Sequence, residues 1–316
     1  MTPPAKAKLP KDTIRGRAVR VDSRMCHVDT DEGELSCRIR GNLFRLEKQF
    51  SRPIAVGDEV IIEKRSTPPH VVVEVMPRKN YLARRKAGGR TRQILAANID
   101  QAVMVLAVAN PQLNPRLLDR MLVAAEYGNF EPLIVLNKVD LLVDQADIEP
   151  IVELYRGLGY RVLMTSTKTG QGIDELRELV KDRISVLAGM SGVGKSAMLT
   201  SIQPDLALPS RLVSMATGKG RHTTTGASLI AIDVGGYVVD TPGIREFGII
   251  DMEPWEIGHQ FVEFRDLISK CRFRTCTHDH ESGCAVKAAV DADEIDAYRF
   301  DSYLRILRTV QEDDKL

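Results

Sequence analysis

The stretch GMSGVGKS, Gly189-Met190-Ser191-Gly192-Val193-Gly194-Lys195-Ser196, decides how the chain is read. It fits the pattern Gly-x4-Gly-Lys-Ser, follows the apolar run ISVLAG and opens the helical run KSAMLTSI. A strand, a glycine-rich loop and a helix in that order make a phosphate-binding loop. The glycines let backbone N–H groups turn inward around phosphate oxygens. The helix N-terminus adds a partial positive charge of about half a unit. The spacing predicts that Lys195 reaches the β- and γ-phosphates and that the Ser196 hydroxyl ligates Mg²⁺, with Ala197 closing the contact set.

The position of this loop is unusual. Such a loop ordinarily follows the first strand of its domain, yet here 188 residues precede it. From residue 99 the chain alternates buried-strand runs (QAVMVLAVA, PLIVLNK, YRVLMTS, ISVLAG) with amphipathic helical runs (PRLLDRMLVAAEYG, IEPIVELYRGLG, GIDELRELVKD). That alternation predicts βαβ units and a parallel sheet. NKVD (Asn137, Lys138, Val139, Asp140) ends one strand run. There Asp140 would accept from the guanine N1–H and N2 amino groups, a donor pair that adenine lacks. Asn137 would brace the loop, and the Lys138 stem would lie over the base. TSTKTG ends the next strand run, where Ser166, Thr167 and Lys168 would offer backbone groups to the guanine O6. DTPG (Asp240 to Gly243) ends a later one; Asp240 would hold Mg²⁺ and the Gly243 N–H would meet a γ-phosphate. Each short motif is weak alone. Together they all fall at strand ends, where open α/β sheets bind ligands, and they select GTP.

The order along the chain is base, base, phosphate, switch, Mg²⁺, whereas the usual order puts the last three first. A domain whose termini lie close together tolerates being joined there and opened elsewhere. One circularly permuted GTPase domain therefore accounts for every motif.

The flanks differ in character. Residues 1–94 carry 21 Lys and Arg against 11 Asp and Glu, while the remainder has an acidic excess. That asymmetry predicts a polyanion partner for the basic part, nucleic acid first. Residues 1–13 lack the apolar core of a secretory signal and read as a disordered basic arm. Residues 14–77 hold five short strand runs in a pattern that suits an OB-fold barrel, although other small barrels fit the pattern nearly as well. Residues 78–96 are strongly basic around Gly88-Gly89 and read as a flexible linker. Residues 97–249 are the GTPase domain, and 250–316 a mostly helical domain. No run reaches the roughly 18 apolar residues of a membrane span, so a cytoplasmic protein without a membrane partner is expected.

Three of the five cysteines crowd into Cys271-x4-Cys276-x-His278-x5-Cys284. Three thiolates and an imidazole make a closed set typical of structural Zn²⁺, which would fold the domain rather than catalyse. His280 competes with His278 as the fourth ligand on spacing. Cys26 and Cys37 fall in barrel strands and read as core residues.

The motifs AANIDQAV, NKVD, GMSGVGKS, GKGRHTTT, DTPGIREFG and CRFRTCTHDHESGC, in that order, resemble the circularly permuted RsgA-type (YjeQ/YloQ) GTPases over essentially the whole chain. The resemblance implies an α/β protein: an OB-fold, a permuted P-loop GTPase domain and a zinc-binding helical domain. It implies binding to the small ribosomal subunit and its rRNA late in maturation, by a monomer, with GTP hydrolysis stimulated by that subunit. It favours His278 as the zinc ligand. In GRHTTTG it assigns Mg²⁺ and γ-phosphate sensing to Thr224, with Thr223 and Thr225 left open, and a role in hydrolysis to His222. Ile244 stands where Ras-like enzymes carry a water-positioning Gln, so slow intrinsic turnover is expected. Two other readings stay open at this point. One is an RNA-binding module whose nucleotide is structural. The other is a translation or tRNA-modification GTPase, which shares the chemistry but not the motif order.

Overall fold

Five strands build the N-terminal part, each contributing buried apolar residues to its core. They are β1 (Thr13–Asp22), β2 (Met25–Thr30), β3 (Gly33–Ile39), β4 (Glu59–Glu63) and β5 (His70–Val75). The computed structural model describes residues 12–46, 50–85, 92–204, 227–240 and 252–313. The five strands pair in the order β1-β2-β3-β5-β4, and β4 pairs back onto β1, so the sheet closes into a barrel. The β3–β5 pairing is parallel and the others antiparallel. Closure removes the sheet edges that would otherwise seek partners. Cys26 and Cys37 stand opposite each other on β2 and β3, fully buried, as core residues.

The stretch read as a flexible linker is ordered on both sides. Strands β6 (Tyr81–Arg85) and β7 (Arg92–Ala97) form an antiparallel hairpin. Arg78, just before it, makes two 2.7 Å bonds to the fully buried carboxylate of Asp58. The hairpin is fastened to the barrel through Ala97 N–H to Val56 O and Asn98 Nδ2 to Gly57 O, at 2.8 and 3.0 Å. Gly57 has φ +87°, and a Cβ there would lie 2.0 Å from Ala97 O, so this junction requires glycine.

The same unit includes most of a second hairpin, β12 (Ser228–Ala231) with β13 (Gly236–Asp240). Arg20 of β1 pairs with Ser228 of β12. The Tyr237 hydroxyl donates to Asp29 of β2, and the Arg17 guanidinium lies over the Tyr237 ring, 5.5 Å from its centroid.

A second compact unit begins at Asp100. Its strands β8 (Gln101–Ala107), β9 (Glu131–Asn137), β10 (Arg161–Met164) and β11 (Arg183–Ala188) lie in the order β10-β9-β8-β11, all parallel. Every residue of β8 is buried, as a central parallel strand requires. A helical turn, α1 (Leu43–Leu46), belongs to the barrel; here the helices are α2 (Pro115–Tyr127), α3 (Glu149–Gly157), α4 (Ile173–Val180) and α5 (Lys195–Ile202). Asn114 caps α2 by accepting the Leu117 N–H, and Pro115 presets its first turn.

The C-terminal part of this unit has short helices α6 (Arg265–Ile268) and α7 (Ala285–Asp291), 3₁₀ turns at Pro254–Gln260 and Val262–Phe264, and the long α8 (Ala297–Asp313). Phe261, Phe264 and Tyr303 form its buried core, joined by Val123 of α2. Arg299 of α8 is buried at the centre of a polar knot. It donates to Asp119 of α2 and, at 2.7 Å, to Glu263, and lies 4.5 Å from the Phe261 ring centroid. Burial alone would lower its pKa, but the two carboxylates push it up. The Tyr155 hydroxyl of α3 donates to the same Asp119 at 2.7 Å. No helix among the described residues is long and apolar enough to cross a membrane.

Candidate functional site

The phosphate loop leaves the end of β11 and enters α5. Gly189, Gly192 and Gly194 have φ of +139°, +83° and +104°. A Cβ on Gly189 would stand 2.2 Å from Val105 O, and one on Gly194 2.3 Å from Asn137 Nδ2. Two glycines are thus required by close approach as well as by φ. The first main-chain bond of α5 runs from Met198 N–H to Gly194 O at 2.8 Å. The helix N-terminus therefore faces into the loop, as anion binding needs. Lys195 Nζ donates to Gly189 O and Met190 O at 2.7 and 2.8 Å, so its ammonium is folded over the loop mouth. Burial lowers its pKa. Ser196 lies in the first turn; Met190, Ser191 and Ala197 are exposed and Val193 is buried.

The Asn-Lys-x-Asp turn reaches this loop directly. The Asn137 side chain, fully buried, donates to Val193 O at 2.8 Å and accepts from the Thr165 hydroxyl at 3.1 Å. Lys138, in the left-handed conformation at φ 64°, donates through Nζ to Gly192 O at 2.7 Å and to Asn110 O. The Ser166 hydroxyl donates to Asp140 Oδ1 at 2.6 Å, and Lys168 Nζ lies 3.8 Å from Asp140 Oδ2. Val139 N–H bonds Thr165 O at 3.1 Å, tying the ends of β9 and β10 together. Thr167 is half-buried beside them. Segments more than 50 residues apart thus meet at the carboxyl ends of three parallel strands. Thr165 and Asn110 belong to this assembly but were not among the predicted site residues. Thr165 was visible as the first residue of TSTKTG; the Asn110 carbonyl left no mark in the sequence.

Asp240 is buried at the end of β13. His222, Thr224 and Gly243 lie outside the described residues.

The four predicted zinc ligands converge. The Sγ atoms of Cys271, Cys276 and Cys284 and a ring nitrogen of His278 all lie within 4.8 Å of one another. His278 Nδ1 is 3.6 Å from Cys271 Sγ and 3.4 Å from Cys284 Sγ, and the two sulfurs are 4.0 Å apart. A Zn²⁺ tetrahedron with bonds of about 2.3 Å has edges of about 3.8 Å, so the donor set fits the ion. Burial lowers the His278 pKa, which favours the neutral ring that a metal ligand needs. Its Nε2 is buried with no hydrogen-bond partner among the described residues, against Gly258, where a Cβ would come within 2.8 Å. The competing His280 has a side chain 80% exposed that faces Asp279. Glu281 shapes the ligand loop by accepting the N–H and hydroxyl of Thr277, both at 2.7 Å. Burial alone would raise the Glu281 pKa, but these donors hold it down to about 2.

A family model described as RsgA GTPase matches residues 75–250. The chain belongs to this family. It is 39% identical over 304 residues to a small ribosomal subunit biogenesis GTPase RsgA from Caldanaerobacter subterraneus, covering 96% of this chain and 98% of the relative. It is 41% identical to the protein so named from Halalkalibacterium halodurans, over 97% and 99% of the two chains. Among solved structures, YjeQ from Thermotoga maritima superimposes with a TM-score of 0.77 at 38% identity, over 95% of this chain and 99% of that one. YloQ, described as a circularly permuted GTPase, gives 0.75 at 30% identity over 98% of each. The RsgA relationship and the motif order establish the permuted GTPase architecture behind an N-terminal barrel.

Proposed function

We propose that this protein hydrolyses GTP as a late assembly factor of the small ribosomal subunit, gripping rRNA and leaving after hydrolysis. The observation that carries the nucleotide reading is the Asn137 side chain bonded to Val193 O, with Lys138 bonded to Gly192 O beside it. It brings the base-reading turn into direct contact with the phosphate loop. Asp140, oriented by Ser166, reads the guanine edge, and the Ser166-Thr167-Lys168 turn faces O6. The loop from Gly189 to Ala197 wraps the phosphates, with Lys195 moving from the loop carbonyls to the β- and γ-oxygens.

Bound Mg²⁺ neutralises charge on those oxygens; Ser196, Asp240 and Thr224 are the residues assigned to hold it. Gly243 senses the γ-phosphate, and His222 or a ribosomal group completes the water site, since Ile244 offers no hydrogen bond. Zn²⁺ on Cys271, Cys276, His278 and Cys284 is structural. The subunit names of the RsgA relatives and the basic residues 1–94 support the ribosomal partner. The protein is read as a cytoplasmic monomer that binds no membrane.

The test is GTP turnover, with Mg²⁺, in the presence and absence of purified small subunits. Strong stimulation by the subunits is expected. Equal slow rates in both would refute the assembly-timer reading and favour a structural nucleotide.

A further inference from the structure

The basic charge of the barrel is neutralised on some faces and left bare on another. On β1 and β4, Arg15 and Arg17 both reach Glu59. Arg20 lies 3.2 Å from Asp22, and Lys64 lies 2.6 Å from Glu32. At the start of β2 and the end of β3 the pattern stops. Arg24 and Arg38 are exposed and meet no carboxylate among the described residues. Arg38 stands opposite Met25 across the β2–β3 ladder, and Ile39 N–H bonds Arg24 O at 2.9 Å, so the two arginines flank one strand junction. They line a groove of about 710 Å³ whose other walls are Met25, Ile39, Gly41 and Phe44. Phe44 is 41% exposed.

This combination selects one form of polyanion. Duplex backbones need only cations, whereas unpaired bases need an apolar or aromatic face to stack on. Phe44, Met25 and Ile39 supply that face, and the volume lies within the range of small-ligand clefts. Strands 2 and 3 are also the oligonucleotide face of five-stranded barrels of this architecture. We propose that this groove takes an unpaired RNA segment, with one base against Phe44 and adjacent phosphates on Arg24 and Arg38. The proposal rests on the rRNA-binding reading above and adds which face binds and which form of RNA it takes.

The test uses the full-length protein, a fluorescein-labelled single-stranded RNA 12-mer of mixed sequence, the matching duplex, and purified small subunits, each titrated at several KCl concentrations. Loss of two phosphate contacts in R24A/R38A should flatten the slope of log K against log salt for the single strand by about 1.4, at about 0.7 per contact. F44A should weaken the single strand about tenfold, leave its salt slope unchanged and spare the duplex. R15A/R17A, whose charges already meet Glu59, should change the slope by less than half as much. Unchanged melting temperatures verify that the variants fold. If R24A/R38A keeps the wild-type slope, or F44A weakens duplex and single strand equally, the groove assignment is overturned. Loss of subunit affinity with free-RNA binding intact also overturns it, because the face would then grip a protein. A wild-type chain that bound neither subunits nor RNA would instead defeat the reading beneath the proposal.

Discussion

Asn137→Ala should damage both the stability of the second unit and its nucleotide affinity. The substitution deletes the bond to Val193 O at 2.8 Å and the bond from the Thr165 hydroxyl at 3.1 Å, in a position with no solvent exposure. Each buried bond contributes about 1 kcal/mol net, and a partner stranded away from water costs about 1–3 kcal/mol. The Thr165 hydroxyl can rotate toward another acceptor, but the Val193 carbonyl is fixed by the loop. The expected loss is therefore about 2–4 kcal/mol. For a unit near 200 residues that is a fall of about 4–16 °C in melting temperature. Asn137→Asp should be no milder, because it keeps the acceptor for Thr165 but turns a carboxylate oxygen toward a carbonyl. Calorimetry with and without GDP, together with titration by a fluorescent GDP analogue, measures both effects. The loss of loop support should weaken GDP at least tenfold. If Asn137→Ala melted within 2 °C of wild type and bound GDP normally, the contact between the base turn and the phosphate loop would not be what shapes the site.

Three further outcomes follow from the geometry. Asp140→Asn replaces one of the two acceptors facing guanine by a donor, so GTP affinity should fall by orders of magnitude while xanthosine triphosphate, with a carbonyl at C2, gains; competition binding reads the exchange. A strong chelator should remove one zinc per chain, measured by atomic emission, and abolish amide-exchange protection in α7, because the metal organises the loop that caps that helix through Cys284. Arg299→Met strands the buried carboxylates of Asp119 and Glu263 and should cost about 3–5 kcal/mol in urea unfolding, whereas the triple change with Asp119→Leu and Glu263→Gln should recover most of it.

The strand and helix texture was legible because each element carries its own period. The five barrel strands, the fully buried β8 and the amphipathic α2 all formed where apolar runs and turn residues placed them. Asn137, Lys138, Gly189 and Gly194 could be read as one site because strand ends in a parallel sheet share a face. Strands β6 and β7, in the stretch read as a linker, were hidden for a physical reason. Dense positive charge looks solvated, but Arg78 is neutralised by Asp58, and the arginines of β6 and β7 hide a local hairpin ladder. Arg299 was equally hidden. Within its helix it looks like one more polar position, and its partners Asp119 and Glu263 lie 180 and 36 residues away. His278 and His280 could not be separated by spacing; the fold separates them by burying one and leaving the other in water.

The hairpin that ends at Asp240 has its Tyr237 hydrogen-bonded to Asp29 and its Ser228 laddered to Arg20 of the barrel. The strand that ends in that carboxylate is therefore stitched to β1 and β2 of the barrel. A displacement of β1 is thereby passed along the β12–β13 ladder, like a key turning in its own shank, to the backbone that carries Asp240.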